Sequence, residues 1–262
     1  MERRPAFLFE TIELRGGRPF ALTRHIDRLL YGAERLQVSL PGRAVLVAAA
    51  ETVADRWGPA PGRLRITLGD TNSPTDTSGV PITPGVSITS GVSMVAAPMQ
   101  IRTDPIDVIV ATSRHDPGGA TSGLKTGQYA DRVAALHAAA AVGSGEALVA
   151  NTRGELCEGA TSNVFALIDG EFCTPELDSG CLAGVTRALL LEAIRDAGRS
   201  VAERRIPIVE LAEADEVLLV STGRHLQPVR SIDGRSLPRV DSPATQQVRD
   251  LFRDTYADII DP

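Results

Sequence analysis

The chain is 262 residues long, 43% hydrophobic and 23% charged, with a formal net charge of −6. That composition suits one large globular domain or two modest ones, and its acidic balance argues against a general nucleic-acid binder, which needs a basic footprint. Three cysteines without a C-x-x-C pair and four histidines outside ligand spacing give neither a disulfide framework nor a metal centre, and they point to a cytoplasmic protein. The opening MERRPAFLFETIEL holds too short an apolar run for a signal-peptide core, and no run reaches membrane-helix length.

In chain order, Phe7 to Leu14 is expected as a strand, turned at Gly16-Gly17 and returning over Pro19 to Leu22. The period then changes. Ile26, Leu29, Leu30, Ala33 and Leu36 share a helical stripe, with Thr23 as the expected N-cap. Val45 to Trp57 reads as a second helix and Leu64 to Leu68 as a strand. Residues 69–91 are rich in Gly, Pro, Ser and Thr and read as a long loop, while Val86 to Ala97 alternates weakly, like another strand. Residues 97–104 have linker composition, which divides the chain into 1–96 and 105–262.

Beyond the linker, Ile106 to Ala111 is a short strand and Tyr129 to Val142 an alanine-rich helix. Two hairpins follow, one turned at Asn151 to Gly154 and one with Asp169-Gly170 at its tip. Gly184 to Ala197 is an amphipathic helix closed by Gly198, and Glu216 to Val220 is a buried strand. Helices mixed with tight hairpins indicate an α+β fold with a mixed sheet.

The stretch GLKTGQYADRV sets Lys125 among small residues ahead of the alanine-rich helix. Three uses are open for that lysine. Lys125-Thr126 is close to the end of a phosphate loop, but Leu124 stands where glycine belongs. A solvated surface lysine is the ordinary case. A Schiff-base lysine needs a tight setting and a carbonyl partner. Pyridoxal phosphate as that partner requires an acid at its ring nitrogen and a phosphate cup at a helix N-terminus. Glu158, in CEGATSN, offers the acid. LAGVTR opens a helix with the amides of Val185 and Thr186 and the Thr186 hydroxyl, and VLLVSTG ends a strand in hydroxyls and a glycine.

Taken in order, HIDRL, LKTGQY, NTRGELCEGATSNVF, GCLAGVTR, ADEVLLVST and PVRSIDGR resemble the class IV aminotransferase superfamily, the fold-type IV pyridoxal-phosphate enzymes. The likeness runs from about Phe9 to Arg235, and E-G-x-x-S-N-x-F, L-x-G-[IV]-T-R and A-D-E-V are its specific motifs. The resemblance implies two domains, a small N-terminal α/β domain and a larger mixed-sheet domain that binds pyridoxal 5′-phosphate. It also implies that Lys125 forms the Schiff base and shuttles the proton. Glu158 would hold the ring nitrogen protonated, with Ser162 and Asn163 in the same motif. Arg28, Val185, Thr186 and Thr222 would hold the phosphate, and Tyr129 would sit near the phenolic oxygen. Arg65 and Gly223 fall at substrate-side positions. A homodimer acting on a small molecule is implied as well. Family members carry further strands before Phe9-Glu10-Thr11, so part of one active-site wall is expected to be missing or supplied by a neighbouring subunit. The first expectation for the reaction is transamination between an amino acid or small amine and a 2-oxo acid. The alternative is 4-amino-4-deoxychorismate lysis to pyruvate and 4-aminobenzoate, and the third is a weakly active cofactor-binding relative.

Overall fold

A computed structural model describes residues 8–68, 86–89, 91–127 and 130–262. The expected site residue Tyr129, most of the expected 69–91 loop and the first residue of the expected strand, Phe7, lie outside the described residues. The chain divides into two units. One comprises residues 1–100, 124–128 and 258–262, and the other residues 101–123 and 129–257.

The first unit is built on strand β1 (Leu8–Arg15), whose side chains alternate between a buried and a half-buried face. Leu8, Glu10, Ile12 and Leu14 point into the core, while Phe9, Thr11, Glu13 and Arg15 occupy the other face. After the Gly16-Gly17 turn only Arg18–Pro19 (β2) pairs back, and helix α1 (Leu22–Arg35) starts where the return strand was expected to continue. Helix α2 (Arg43–Trp57), β3 (Gly62–Leu68), β4 (Val86–Thr89) and β5 (Val92–Pro98) complete the unit. Among the described residues the strands form an antiparallel sheet in the order β2-β1-β3-β5-β4. Leu8, Ile12, Leu14, Ile26, Leu29, Leu46, Ile66 and Met94 form its core.

Thr23 is not the N-cap of α1. Ala21 holds that position in the left-handed region (φ 54°) and has no side chain to cap with. The cap comes from a distant segment. The Thr23 amide donates to Asp261 Oδ1 at 2.9 Å, its hydroxyl donates to Oδ2 at 2.6 Å, and the Ala21 amide donates to the Ile260 carbonyl at 2.7 Å. A carboxylate on the first turn satisfies otherwise orphaned amides and complements the helix dipole. Asp261→Ala is therefore expected to lower the unfolding free energy by about 1 kcal/mol, measured by urea titration. An unchanged midpoint would contradict the cap.

The second unit carries β6 (Ile106–His115), helix α3 (Ala130–Ala141) and β7 (Glu146–Asn151). The hairpin strands β8 (Leu156–Gly159), β9 (Asn163–Ile168) and β10 (Glu171–Pro175) follow, then helix α4 (Val185–Asp196). The chain continues through β11 (Val201–Arg204), β12 (Glu216–Ser221), β13 (His225–Ile232), β14 (Arg235–Ser236) and helix α5 (Pro243–Thr255). The sheet runs β11-β10-β9-β12-β13-β6-β7-β8, with β14 beside β13. It is mixed, because β10/β11, β13/β6 and β6/β7 are parallel while the other pairs are antiparallel. The α+β expectation holds. Asp169 and Gly170, both at positive φ (51° and 79°), make the tight β9–β10 turn that a D-G pair favours. Every residue of β7, β8 and β9 is buried, as strands covered on both faces require.

Candidate active site

In the first unit Lys125 lies beside the start of β1. Its carbonyl accepts from the Phe9 amide at 3.1 Å, and Thr126 bridges to Leu8. These contacts fix the backbone on either side of the lysine as an added strand fragment. The Lys125 Nζ stands 4.7 Å from the centroid of the Phe9 ring. The Arg65 guanidinium stacks on the same ring, its central carbon 4.0 Å from the centroid. Arg65 belongs to the half-buried face of β3, directly across from Thr11. The Lys125 amine and the Arg65 guanidinium thus share one aromatic ring, and a guanidinium is a group suited to a carboxylate.

On the other face of β1, Glu10 is fully buried and bound by two residues of α1. Arg28 grips it in a fork, Nε to Oε1 at 2.8 Å and Nη2 to Oε2 at 2.6 Å, and His25 Nδ1 meets Oε2 at 2.8 Å. HIDRL puts His25 and Arg28 three residues apart, on one side of the helix. Burial alone pushes the Glu10 carboxyl up and is the largest influence. The charge and hydrogen bonds of Arg28, with those of His25, outweigh it and bring the pKa from 4.5 down to about 2. Burial pushes His25 below its usual value, against the pull of Glu10 and with the help of Arg28 and Lys125. A neutral His25 must then donate its Nδ1 proton to the carboxylate. Because the folded pKa of Glu10 is depressed, its stabilisation is present above about pH 4.5 and lost as pH falls toward 2, an effect on the order of 3 kcal/mol. Glu10→Gln should flatten that part of the stability–pH curve, read from denaturant midpoints between pH 5 and 2. An unaltered slope would contradict the assignment. Neither Glu10 nor His25 was singled out from the sequence, although both lie in the quoted elements. Their partnership spans a strand and a helix and leaves no local signal.

In the second unit the motif segments converge on Asn163 and Glu158. Asn163 pairs with Val220 in the sheet, two residues before Thr222, and its Nδ2 donates to the Leu182 carbonyl at 2.9 Å. A Cβ at Gly184 would collide with Asn163 Oδ1, so glycine is required at the α4 N-cap position. No side chain caps that helix end, which leaves the Val185 and Thr186 amides at the positive end of the dipole. Among the described residues the Ser162 hydroxyl oxygen is buried without a hydrogen-bond partner. The next loop is held from behind. Arg224 pairs with the fully buried Glu146 at 2.7 Å, and Thr161 donates to the same carboxylate at 2.5 Å. The Gly223 carbonyl accepts from the Arg102 amide at 3.0 Å.

Glu158 ends β8 and is buried. Its Oε2 accepts the Leu182 amide at 3.1 Å, and its Oε1 pairs with Arg132 of α3. Arg132 was not singled out from the sequence, where it looks like one more charge on a helix face.

These features fit pyridoxal phosphate. An orphaned buried hydroxyl, an uncapped helix N-terminus preceded by an obligate glycine, and a buried oriented carboxylate are each what the phosphate and the ring nitrogen require. Among the described residues no group of three or more His, Cys, Asp or Glu side chains is placed to hold a metal ion. The three cysteines are buried and free.

Comparison with known proteins matches residues 7–232 to the model of the amino-transferase class IV family. The chain is 34% identical over 221 residues to branched-chain-amino-acid aminotransferase 5, chloroplastic, of Arabidopsis thaliana, a match covering 80% of this chain and 52% of the relative. It is 28% identical over 250 residues to the bifunctional aminodeoxychorismate lyase / D-amino acid transaminase of Mycobacterium tuberculosis, covering 88% and 83%. A hypothetical aminotransferase from Mycobacterium tuberculosis, solved in its PLP-bound form, is similar with a TM-score of 0.82 at 25% identity, covering 99% of this chain and 91% of that one. The chain spans about half the length of the plant relatives it matches.

Proposed function

The chain belongs to the class IV aminotransferases, whose cofactor is pyridoxal 5′-phosphate, and on that footing we propose that it moves an amino group between an amino acid or small amine and a 2-oxo acid at Lys125. The observation that carries an amino-acid-like substrate is the placement of the Lys125 amine and the Arg65 guanidinium against one Phe9 ring, and the 34% identity to a branched-chain-amino-acid aminotransferase favours transfer over lysis. That arrangement suits a substrate bearing an amine at one end and a carboxylate at the other. Bound at this site, the cofactor would supply an electron sink for the carbon that loses its proton.

The chain's own residues do the rest. Lys125 takes the proton and returns it. Glu158, held by the Leu182 amide and Arg132, presents a carboxylate to the ring nitrogen. Val185, Thr186, Thr222 and Ser162 hold the phosphate, together with Arg28, which Glu10 fixes along its Nε–Nη2 edge. Asn163 braces the turn in front of α4. Tyr129 is assigned to the cofactor's phenolic oxygen, and Gly223 lies on the substrate side with Arg65.

Lysis of aminodeoxychorismate is the second reading, favoured by the 28% identity to a bifunctional lyase and transaminase. A homodimer is part of the proposal. No helix among the described residues is long and apolar enough to cross a membrane, and the cytoplasm remains the proposed location. Incubating the loaded protein with a panel of amino donors tests the first reading. Transamination predicts pyridoxamine phosphate and a 2-oxo acid. Release of 4-aminobenzoate from aminodeoxychorismate, with no donor accepted, overturns it in favour of lysis.

A further inference from the structure

We propose that Arg132 is a positioning residue that shares the charge of Glu158 with the cofactor's ring nitrogen and thereby sets how firmly that nitrogen holds its proton. The inference rests on the role given to Glu158 above. Arg132 stands in the first turn of α3 and reaches β8 with two arms of its guanidinium. Nη2 pairs with Glu158 Oε1, and Nη1 donates to the Gly159 carbonyl at 3.1 Å. The other carboxylate oxygen is held by the Leu182 amide. Both oxygens are engaged within the protein, so a ring nitrogen meets a carboxylate already oriented and already partly neutralised.

The pair is well shielded from water, with side-chain exposures of 16% and 7%. Screening is weak in such a place, and a cation in contact with the carboxylate reduces the pull that the carboxylate exerts on a further partner. A guanidinium keeps its charge at every working pH, so the division is permanent. Among the described residues, His115, Cys157 and Cys181 also feel the Glu158 charge, with Asp116 acting on His115 and Arg187 on Cys181. Burial pushes His115 below its usual pKa, Arg132 pushes it further the same way and Glu158 opposes them. Burial and then Glu158 push the Cys157 thiol up, and they push the Cys181 thiol up to about 11. Both thiols stay neutral near pH 7.

Holoenzyme carrying pyridoxal phosphate labelled with 15N in the ring tests this directly, because the 15N chemical shift reports protonation of that atom without turnover. Arg132→Met removes the charge and keeps an apolar stem. The ring nitrogen's titration midpoint is expected to rise by about one pH unit, a tenfold gain in proton affinity. Arg132→Lys, which keeps the charge, is expected to stay near the wild-type midpoint. A midpoint in Arg132→Met that is unchanged or lower overturns the proposal, as does a wild-type nitrogen whose shift never moves between pH 5 and 10. If Arg132→Met does not load, Arg132→Gln carries the same decision, and failure of both to load while Arg132→Lys loads normally overturns the proposal in favour of a purely structural brace. Failure of the underlying reading looks different. In that case the wild type retains no label on Lys125 after borohydride treatment, and no ring signal belongs to the protein.

Discussion

Lys125→Ala is expected to leave a folded protein with no absorbance band near the visible edge and with turnover reduced by at least about 10³-fold. The size of the loss follows from two roles falling on one amine. On the proposed function the side chain would bond covalently to the carbonyl partner and then carry the proton, and positioned proton transfer alone contributes roughly 10²–10⁴-fold. Folding should survive, because the backbone around the lysine is held by its main-chain contacts to Phe9 and Leu8, which alanine preserves. Absorbance after dialysis against pyridoxal phosphate, with thermal melts alongside, checks both halves. A persisting band would remove Lys125 from the chemistry.

Glu158→Gln is the second large effect. The amide keeps the shape and can still meet the Leu182 amide, but it carries no charge for the ring nitrogen. Replacing a preorganised charge in a dry site costs about 3 kcal/mol in barrier, near a 10²–10³-fold fall in kcat. It also leaves the Arg132 guanidinium without its anion in a poorly solvated place, so some loss of stability should accompany the kinetic effect. Cofactor should still bind through its phosphate. A kcat within a few-fold of wild type would contradict the assignment of Glu158.

The parts of the fold that were legible are those whose signals are local. The D-G turn between β9 and β10, the alternation of β1 and the amphipathic α4 closed by Gly198 at positive φ appear within a residue or two of expectation. Elements defined by distant partners were not. Strand β11 exists because Phe172 to Pro175 offers it a parallel edge, and its sequence VAER has little strand character. Helix α5 carries a local start signal, Ser242 capping ahead of Pro243, but no element was expected there. The α1 cap was misplaced because its capping group comes from a distant segment. The capping carboxylate of Asp261 is 238 residues from Thr23.

Something similar separates the candidate site residues that the sequence offers from the buried charges that only the fold brings out. Lys125, Glu158 and the LAGVTR turn carry motif spacing that a single strand of text preserves. Glu10, His25, Arg132 and the Glu146–Arg224 pair act by gripping other side chains across elements, and their letters alone are those of ordinary charged residues. Fully buried carboxylates are the structural sign of such roles, because a charge is kept from water only where a partner compensates it.

Borohydride reduction of the protein loaded with pyridoxal phosphate, followed by peptide mapping, tests the central claim most directly. The account predicts one stable pyridoxyl adduct, on the peptide containing Lys125, and no incorporation in Lys125→Ala. Lys125 is the chain's only lysine, so a colourless protein with no adduct there, or an adduct on the amino terminus in its place, would contradict it.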